Sequence, residues 1–368
     1  LSLHDALPIY TVGSLLGMGV MQFFAPILAK NYEGGYASAG FFRTLAPVGI
    51  VISILLTVLA IIGIWEKDQP KYFGIGGEVS EKVKLHEYVQ IIKNNNPMQR
   101  LMVAGAGCKL ALSIATNTTV LCMLYGCMMG SYDGLYLPMM VLGYVFSVPF
   151  FLLTVRTSQK EGQKASLMKY VSVAFICYIG VLVLLLLWGR SDAFTLSIMG
   201  DNGLSINLYT ILFIAFFGIG YGAYYATADM PIPMVADCSD YETYRSGSYI
   251  PGIMGTLFSL VDKLVSSLSA TVVGIAVSFI GLESLPTQYD PYTPGMNWVV
   301  LVLFCIIPMV AWAATLIAMK GYTLTGEKMK EIQAVNACRR DAVANGMKLE
   351  EAMTKWQSMD QLPAEYRS

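Results

Sequence analysis

The chain has 368 residues, 55% of them hydrophobic and 13% charged, whereas an ordinary soluble domain carries roughly 25% charged residues. So little charge excludes a water-soluble globule of this size and makes lipid the solvent for most of its outer surface. A net charge of −1 offers no basic field for nucleic acid, and His4, His86 and seven scattered cysteines without a C-x-x-C pair offer little to a metal centre, a disulfide framework or a histidine-based catalytic site.

In chain order, Leu1–Ile9 begins without Met and has neither a basic leader nor a small-residue cleavage site, and reads as a scar or truncation edge. About 20 apolar residues cross a bilayer core. Eight stretches qualify: Tyr10–Ala29, Thr44–Trp65, Gln99–Met129, Leu135–Val155, Leu167–Trp188, Ile206–Val235, Gly252–Ile280 and Trp298–Met319. Three of them (Gln99–Met129, Ile206–Val235 and Gly252–Ile280) are longer than one crossing needs, which predicts tilt or a helix break. The expected organisation is residues 10–65 with two spans, a polar connection 66–97, a six-helix half 98–320 and a tail 321–368, with no soluble domain. Within the connection, Glu81–Lys93 alternates charges with Val83, Leu85, Tyr88, Val89, Ile91 and Ile92, as expected for a helix lying on the membrane surface. Leu324–Asn345 mixes Lys328, Lys330, Arg339 and Arg340 with Met329, Ile332 and Val335, and reads as a second surface helix touching anionic lipid.

Charge in the connections sets the orientation. Alternate connections hold Lys67, Lys71, Lys82, Lys84 and Lys93, then Arg156, Lys160, Lys164 and Lys169, then Arg245, then the basic tail; the other set offers Arg190. The positive-inside rule places the first set, and the C-terminus, in the cytoplasm, and the expected location is the cell (plasma) membrane. Trp65, Trp188 and Trp298 fall at span ends, where indole rings prefer the interface.

Ionisable groups at membrane depth cost at least about 2.5–3.5 kcal/mol and need a partner or a wet cavity. Lys109, Asp229, Asp262 and Lys263 are in that position. Thr256, Ser259, Lys263 and Ser267 recur at steps of three and four and form one polar face, from which Asp262 is turned by about 100°. Ser113, Thr116 and Asn117 continue the face of Lys109. Tyr221, Tyr225 and Asp229 are spaced by four, and Met230-Pro231-Ile232-Pro233 must interrupt the helix that carries them, a recurring device at transporter sites. Gly218-Ile219-Gly220-Tyr221-Gly222 lacks the preceding strand of a nucleotide loop and predicts close helix packing instead.

The segment Val235-Ala-Asp237-Cys-Ser-Asp240-Tyr241-Glu-Thr-Tyr-Arg245-Ser-Gly247 resembles the motif after the tenth helix of glycoside–pentoside–hexuronide:cation symporters, the melibiose-carrier family of the major facilitator superfamily. Phe258-Ser-Leu-Val-Asp-Lys263-Leu resembles that family's eleventh helix with its single lysine, Tyr322-Thr-Leu324-Thr325 the start of its tail, and Asn96-Pro97 the start of its seventh helix. The resemblance implies an all-α membrane protein with a major facilitator-type bundle, in which the eight spans are helices five to twelve of twelve. It further implies a monomeric carrier of a sugar coupled to Na⁺ or H⁺ by alternating access, with no other cofactor. Lys263 then matches the lysine near the sugar and cation sites; Asp229, Tyr225, Tyr221, Lys109, Asn117 and Asp262, singled out above by their charge or polar face at membrane depth, are the further candidates for substrate or cation binding. Asp237, Asp240, Tyr241 and Arg245 match a cytoplasmic gate. The family's main cation carboxylates lie on the first, second and fourth helices, which would precede Leu1, and Ser248-Tyr249 stands where members often carry a basic residue. Other readings are a facilitator for another solute, a transporter-like sensor, or a membrane enzyme using Asp237 and Asp240 on a lipid-linked substrate.

Overall fold

The computed structural model describes residues 13, 17, 19–21, 23–66, 85–197, 199–200, 203–204 and 206–367. Leu1–Ile9, most of the first half of the Tyr10–Ala29 span, and Lys67, Lys71, Lys82 and Lys84 of the polar connection lie outside the described residues. The chain divides into two compact units, Ile9–Lys84 and, together with Leu1–Pro8, Leu85–Ser368.

In the first unit the apolar helix Gly19–Ala29 leads through a short 3₁₀ turn, Gly35–Ala37, into α1 (Ala39–Ile64). The reversal before that turn uses Gly34 at φ 86°, a left-handed backbone that glycine adopts without a Cβ penalty. A 2.6 Å hydrogen bond between the Tyr32 and Thr44 hydroxyls ties the turn to the helix. Trp65 caps the end of α1 and is exposed.

The second unit opens with α2 (Leu85–Asn94), which covers much of the expected surface helix. α3 (Asn96–Ala115) starts where the sequence directs: the Asn95 Oδ1 accepts the Met98 N–H at 3.0 Å, and Pro97 sits in the first turn, where a missing N–H costs nothing. It stops at Thr116, and Asn117 caps a second helix, α4 (Thr118–Met128), bent from α3 by 46°. From Cys122 to Met128, α4 is wound as a π-helix. α5 (Tyr132–Glu161) and α6 (Gln163–Leu187) meet at Gly162, whose φ of 90° permits the sharp turn. A two-residue antiparallel pairing of β1 (Met199–Gly200) with β2 (Gly203–Leu204) precedes α7 (Leu208–Thr227). α8 (Met234–Ser246), α9 (Pro251–Ser278) and α10 (Met296–Lys320) follow, α10 containing a π turn at Val302–Ile306.

Among the described residues six helices are long and apolar enough to cross a membrane, and seven if the bent pair α3–α4 is one span. With the shorter Gly19–Ala29 helix this accounts for the eight expected stretches, and the architecture is the all-α membrane bundle read from the sequence. Two of the three overlong stretches are broken, at Thr116–Asn117 and between α7 and α8; the third, α9, runs unbroken for 28 residues.

The bundle packs through small residues, as helices in lipid do when no hydrophobic force separates protein from solvent. A Cβ on Gly222 would meet the Phe146 carbonyl and the Phe150 ring, and one on Gly218 the Phe146 ring, so these two glycines serve close packing of α7 on α5, while Gly220 faces Cys177 and Tyr178 of α6. On the same helix Tyr209, Phe213, Phe217, Tyr221 and Tyr225 form a column at steps of four, with successive ring centroids 6.4, 5.9, 5.5 and 5.3 Å apart. All seven cysteines are free and buried. Burial raises the thiol pKa of Cys238 and Cys338, which lie outside the spans.

The tail differs from expectation. α11 (Gly326–Ala344) and α12 (Leu349–Lys355) do not lie apolar face down on lipid. Met329, Ile332, Val335 and Cys338 are buried, and Val335, Cys338, Ala352, Trp356 and Leu362 form a small core of their own. The apolar face expected to seek the membrane is satisfied by protein instead, because α12 and the Trp356–Leu362 segment fold back over it. Arg339, expected at the surface, is 6% exposed.

Candidate functional site

The interior charges converge where α7 ends. Pro231 and Pro233 lack backbone donors, so the helix cannot continue, and the chain crosses residues 228–233 in tight turns, the Met230 N–H donating to the Thr227 carbonyl and the Ile232 N–H to that of Asp229. This frees Asp229 from the helix surface and aims it toward α3. There Lys109 Nζ lies 3.6 Å from Asp229 Oδ1 and 3.7 Å from Asp262 Oδ1 of α9. Asp262 in turn lies 3.8 Å from Lys263 Nζ through its other oxygen. The four residues make one chain of alternating charge across α3, the α7–α8 break and α9.

Glycine sets this register. A Cβ on Gly105 would strike the Phe258 ring, so α3 and α9 touch there, and one helical turn further along each helix stand Lys109 and Asp262. The side chains of Lys109, Asp229 and Asp262 are 23%, 22% and 17% exposed, and that of Lys263 is 82% exposed. The 100° offset between Asp262 and Lys263 thus divides inner from outer: Asp262 turns to Lys109, while Lys263 stands on the open face with Thr256, Ser259 and Ser267. Thr256 and Ser267 return their hydroxyl protons to helix carbonyls, at 2.8 Å and 3.0 Å.

The distances carry chemical meaning. A charge-assisted N–H···O bond closes at about 2.7–2.9 Å. All three contacts in this chain are longer, whereas the Arg245–Glu242 pair on α8 is closed at 2.6 Å. Each central pair still gains about 4 kcal/mol at an effective dielectric of 20, before desolvation is charged against it. The carboxylates are attracted to Lys109 without being sealed by it, and they keep lone pairs for a hydroxyl or a cation.

The remaining expected residues are placed differently. Tyr221 and Tyr225 stack in the buried column, 1% and 4% exposed, and Tyr225 shares a 3.1 Å hydrogen bond with the Tyr144 hydroxyl. Tyr144, on α5, carries no signal in the sequence beyond its type. Asn117 accepts the Thr119 N–H at 2.9 Å as the cap of α4, so its carbonyl is engaged by the helix break itself.

At the other end of the break, α8 carries the Asp237–Arg245 motif. Arg245 pairs with Glu242, which is 2% exposed and also accepts a hydrogen bond of 3.0 Å from Asn95 Nδ2. Asn95 donates as well to the Cys238 carbonyl at 3.3 Å and caps α3, so one buried amide joins α8 to the start of α3. Neither Asn95 nor Glu242 stood out in the sequence. Tyr241 is half-buried, and the Asp240 carbonyl accepts a 2.9 Å hydrogen bond from Asn336 of the tail. Burial raises the Asp240 carboxyl pKa, opposed by Arg340. Burial, and then the charge of Asp240, moves the Asp237 carboxyl from 3.8 to about 7. A carboxyl with a higher pKa folded than unfolded binds more protons in the folded state. Stability contributed by α8 is therefore expected to fall as pH rises from about 4 through about 7 and to level off above. Asp237→Asn should flatten that slope in melting curves of the detergent-solubilised protein; an unchanged slope would show that another group titrates.

A multi-pass helical bundle with opposed charges meeting at an interrupted helix is the architecture of a membrane transporter. The chain belongs to the MFS/sugar transport protein family, whose model matches residues 9–326. That is a family of transporters, so the reading of Asp237 and Asp240 as the metal pair of a membrane enzyme is set aside. The chain is also similar to an uncharacterised 29.9 kDa protein in the crtE 3′ region of Pseudescherichia vulneris, 28% identical over 124 residues. That match spans 33% of this chain and 43% of the other protein.

Proposed function

We propose that the protein is a sugar:cation symporter of the melibiose-carrier type, working by alternating access in the cell membrane with its C-terminus in the cytoplasm. The observation that carries this reading is the open charge chain Asp229–Lys109–Asp262–Lys263 beside the broken helix. With all four groups ionised the chain is neutral. Lys263 is its loosest member, at 3.8 Å and 82% exposed. A sugar that draws the Lys263 ammonium away leaves a net charge of −1 around Lys109, and Na⁺ or H⁺ restores neutrality. Each ligand thereby lowers the cost of binding the other, which is the thermodynamic content of symport. The family match and the resemblance of the Asp237–Lys263 segment support the same class of substrate.

The test is uptake of labelled glycosides and hexuronides by cells expressing the protein, in sodium and sodium-free buffers. Lys263→Ala at equal membrane abundance should reduce ion-dependent uptake at least about tenfold, the loss of one charged contact worth about 1.5–3 kcal/mol. Wild-type uptake in that variant would remove Lys263 from the site.

A further inference from the structure

A groove of about 450 Å³ runs down the outside of the bundle between α3 and α10, away from the charge chain. Its geometry follows from residue size. Ala314 and Ala318 of α10 leave its floor low, and Val103 and Ile317, 48% and 73% exposed, form its apolar walls. At its mouth stands the half-buried Arg100. Gly321 explains its position: a Cβ there would strike the Arg100 guanidinium, so the absence of a side chain lets the guanidinium lie across the end of α10. Asn96 Oδ1 accepts from Arg100 Nε at 2.7 Å and fixes the fork.

Arg100 has no carboxylate within ion-pair distance among the described residues. Glu242, the buried carboxylate behind this turn, is taken by Arg245 and Asn95. Gln99 at the same mouth spends its amide on the Ile92 and Lys93 carbonyls at 2.8 and 3.0 Å. Lys320 is exposed next to Gly321 and adds a second positive charge. An unneutralised guanidinium above an aliphatic channel matches one kind of ligand, a molecule with an anionic head and a hydrocarbon chain. A basic pocket between helices at the end of a bundle is a recognised way of holding a phospholipid headgroup.

We propose that this groove holds an anionic phospholipid of the adjacent leaflet, its phosphate forked on Arg100 and an acyl chain lying along Val103, Ala314, Ile317 and Ala318. The experiment is native mass spectrometry of the full chain in detergent with equal amounts of phosphatidylglycerol and phosphatidylcholine. Phosphatidylglycerol should be retained about fivefold over phosphatidylcholine, as about one basic contact predicts. Arg100→Gln should abolish that preference, and Gly321→Val should abolish it with the arginine still present. Ala314→Leu, an apolar change on a lipid-facing surface, should fill the channel and release the lipid even if the other two variants fail to fold. Equal retention of the two lipids by the wild type would overturn the proposal. So would a preference unchanged in Arg100→Gln, lipid retained undiminished by Ala314→Leu, or displacement of the lipid by millimolar inorganic phosphate.

Discussion

Replacing Lys109 with methionine is expected to abolish ion-coupled uptake, by about a hundredfold or more. Methionine fills a similar volume, so the loss is electrostatic. It leaves Asp229 and Asp262 facing each other without the ammonium that stands 3.6 and 3.7 Å from them. The pairs are partly exposed, so losing one partner costs less than the about 3–5 kcal/mol of a fully buried pair, yet it leaves both carboxylates without their counter-charge. The two carboxylates then repel each other, and the arrangement proposed to bind ion and solute together is lost. The double variant Lys109→Met/Asp229→Asn separates structure from mechanism. It restores the balance of charge, with Asp262 and Lys263 remaining, so membrane abundance and melting temperature should recover while uptake stays absent. Recovery of uptake along with stability would reduce Lys109 and Asp229 to a structural pair.

The largest expected effect on stability lies in the tail. Arg339 donates through Nε and Nη2 to the Trp356 carbonyl at 2.9 and 2.6 Å, and through Nη1 to the Tyr244 carbonyl of α8 at 2.7 Å. Its guanidinium also lies 5.3 Å from the centre of the Tyr244 ring, whose hydroxyl donates to the Gln357 carbonyl at 2.6 Å. One planar side chain thus pins α11, the Trp356 segment and α8 together. Arg339→Met should cost about 3 kcal/mol or more, since hydrogen bonds to a charged donor are worth about 1.5–3 kcal/mol each and the buried Trp356 carbonyl and the partly buried Tyr244 carbonyl lose their partner. Arg339→Lys should recover little of this, because an ammonium cannot reproduce the fork. Hydrogen exchange should show protection lost across residues 326–366 and kept in α5, α6 and α7, as local unfolding of a separate small core predicts. Uniform loss across all helices, or none, would contradict that assignment.

The spans were legible because hydrocarbon enforces length and composition on every helix that crosses it, and the α7–α8 break was legible because proline announces its missing donor. Lys109, Asp229 and Asp262 could be singled out one at a time, each being too costly at membrane depth to stand without purpose. Their joining could not be read. It depends on the contact of Gly105 with Phe258, a tertiary fact invisible in either local sequence. The same holds for Asn95, an unremarkable amide two residues ahead of a proline until α8 brings Glu242 to it. Tyr221 and Tyr225 shared a face with Asp229 as their spacing requires, yet packing against Gly143 and Tyr144 decides that the face is interior. The tail was misjudged for a related reason. An amphipathic helix states that one face must be covered and leaves open by what, and here Trp356 and Leu362 cover it.

The burial of all seven native thiols has a practical consequence. Membrane-impermeant maleimides need an accessible thiolate, and none of these sulfurs offers one in the folded protein. A cysteine introduced at position 256, 259 or 267 would then be the first target for such a reagent, with no need to strip the native residues. Fluorescent or spin labels placed one at a time along that stripe could follow the surroundings of Lys263 while solute and ion are added.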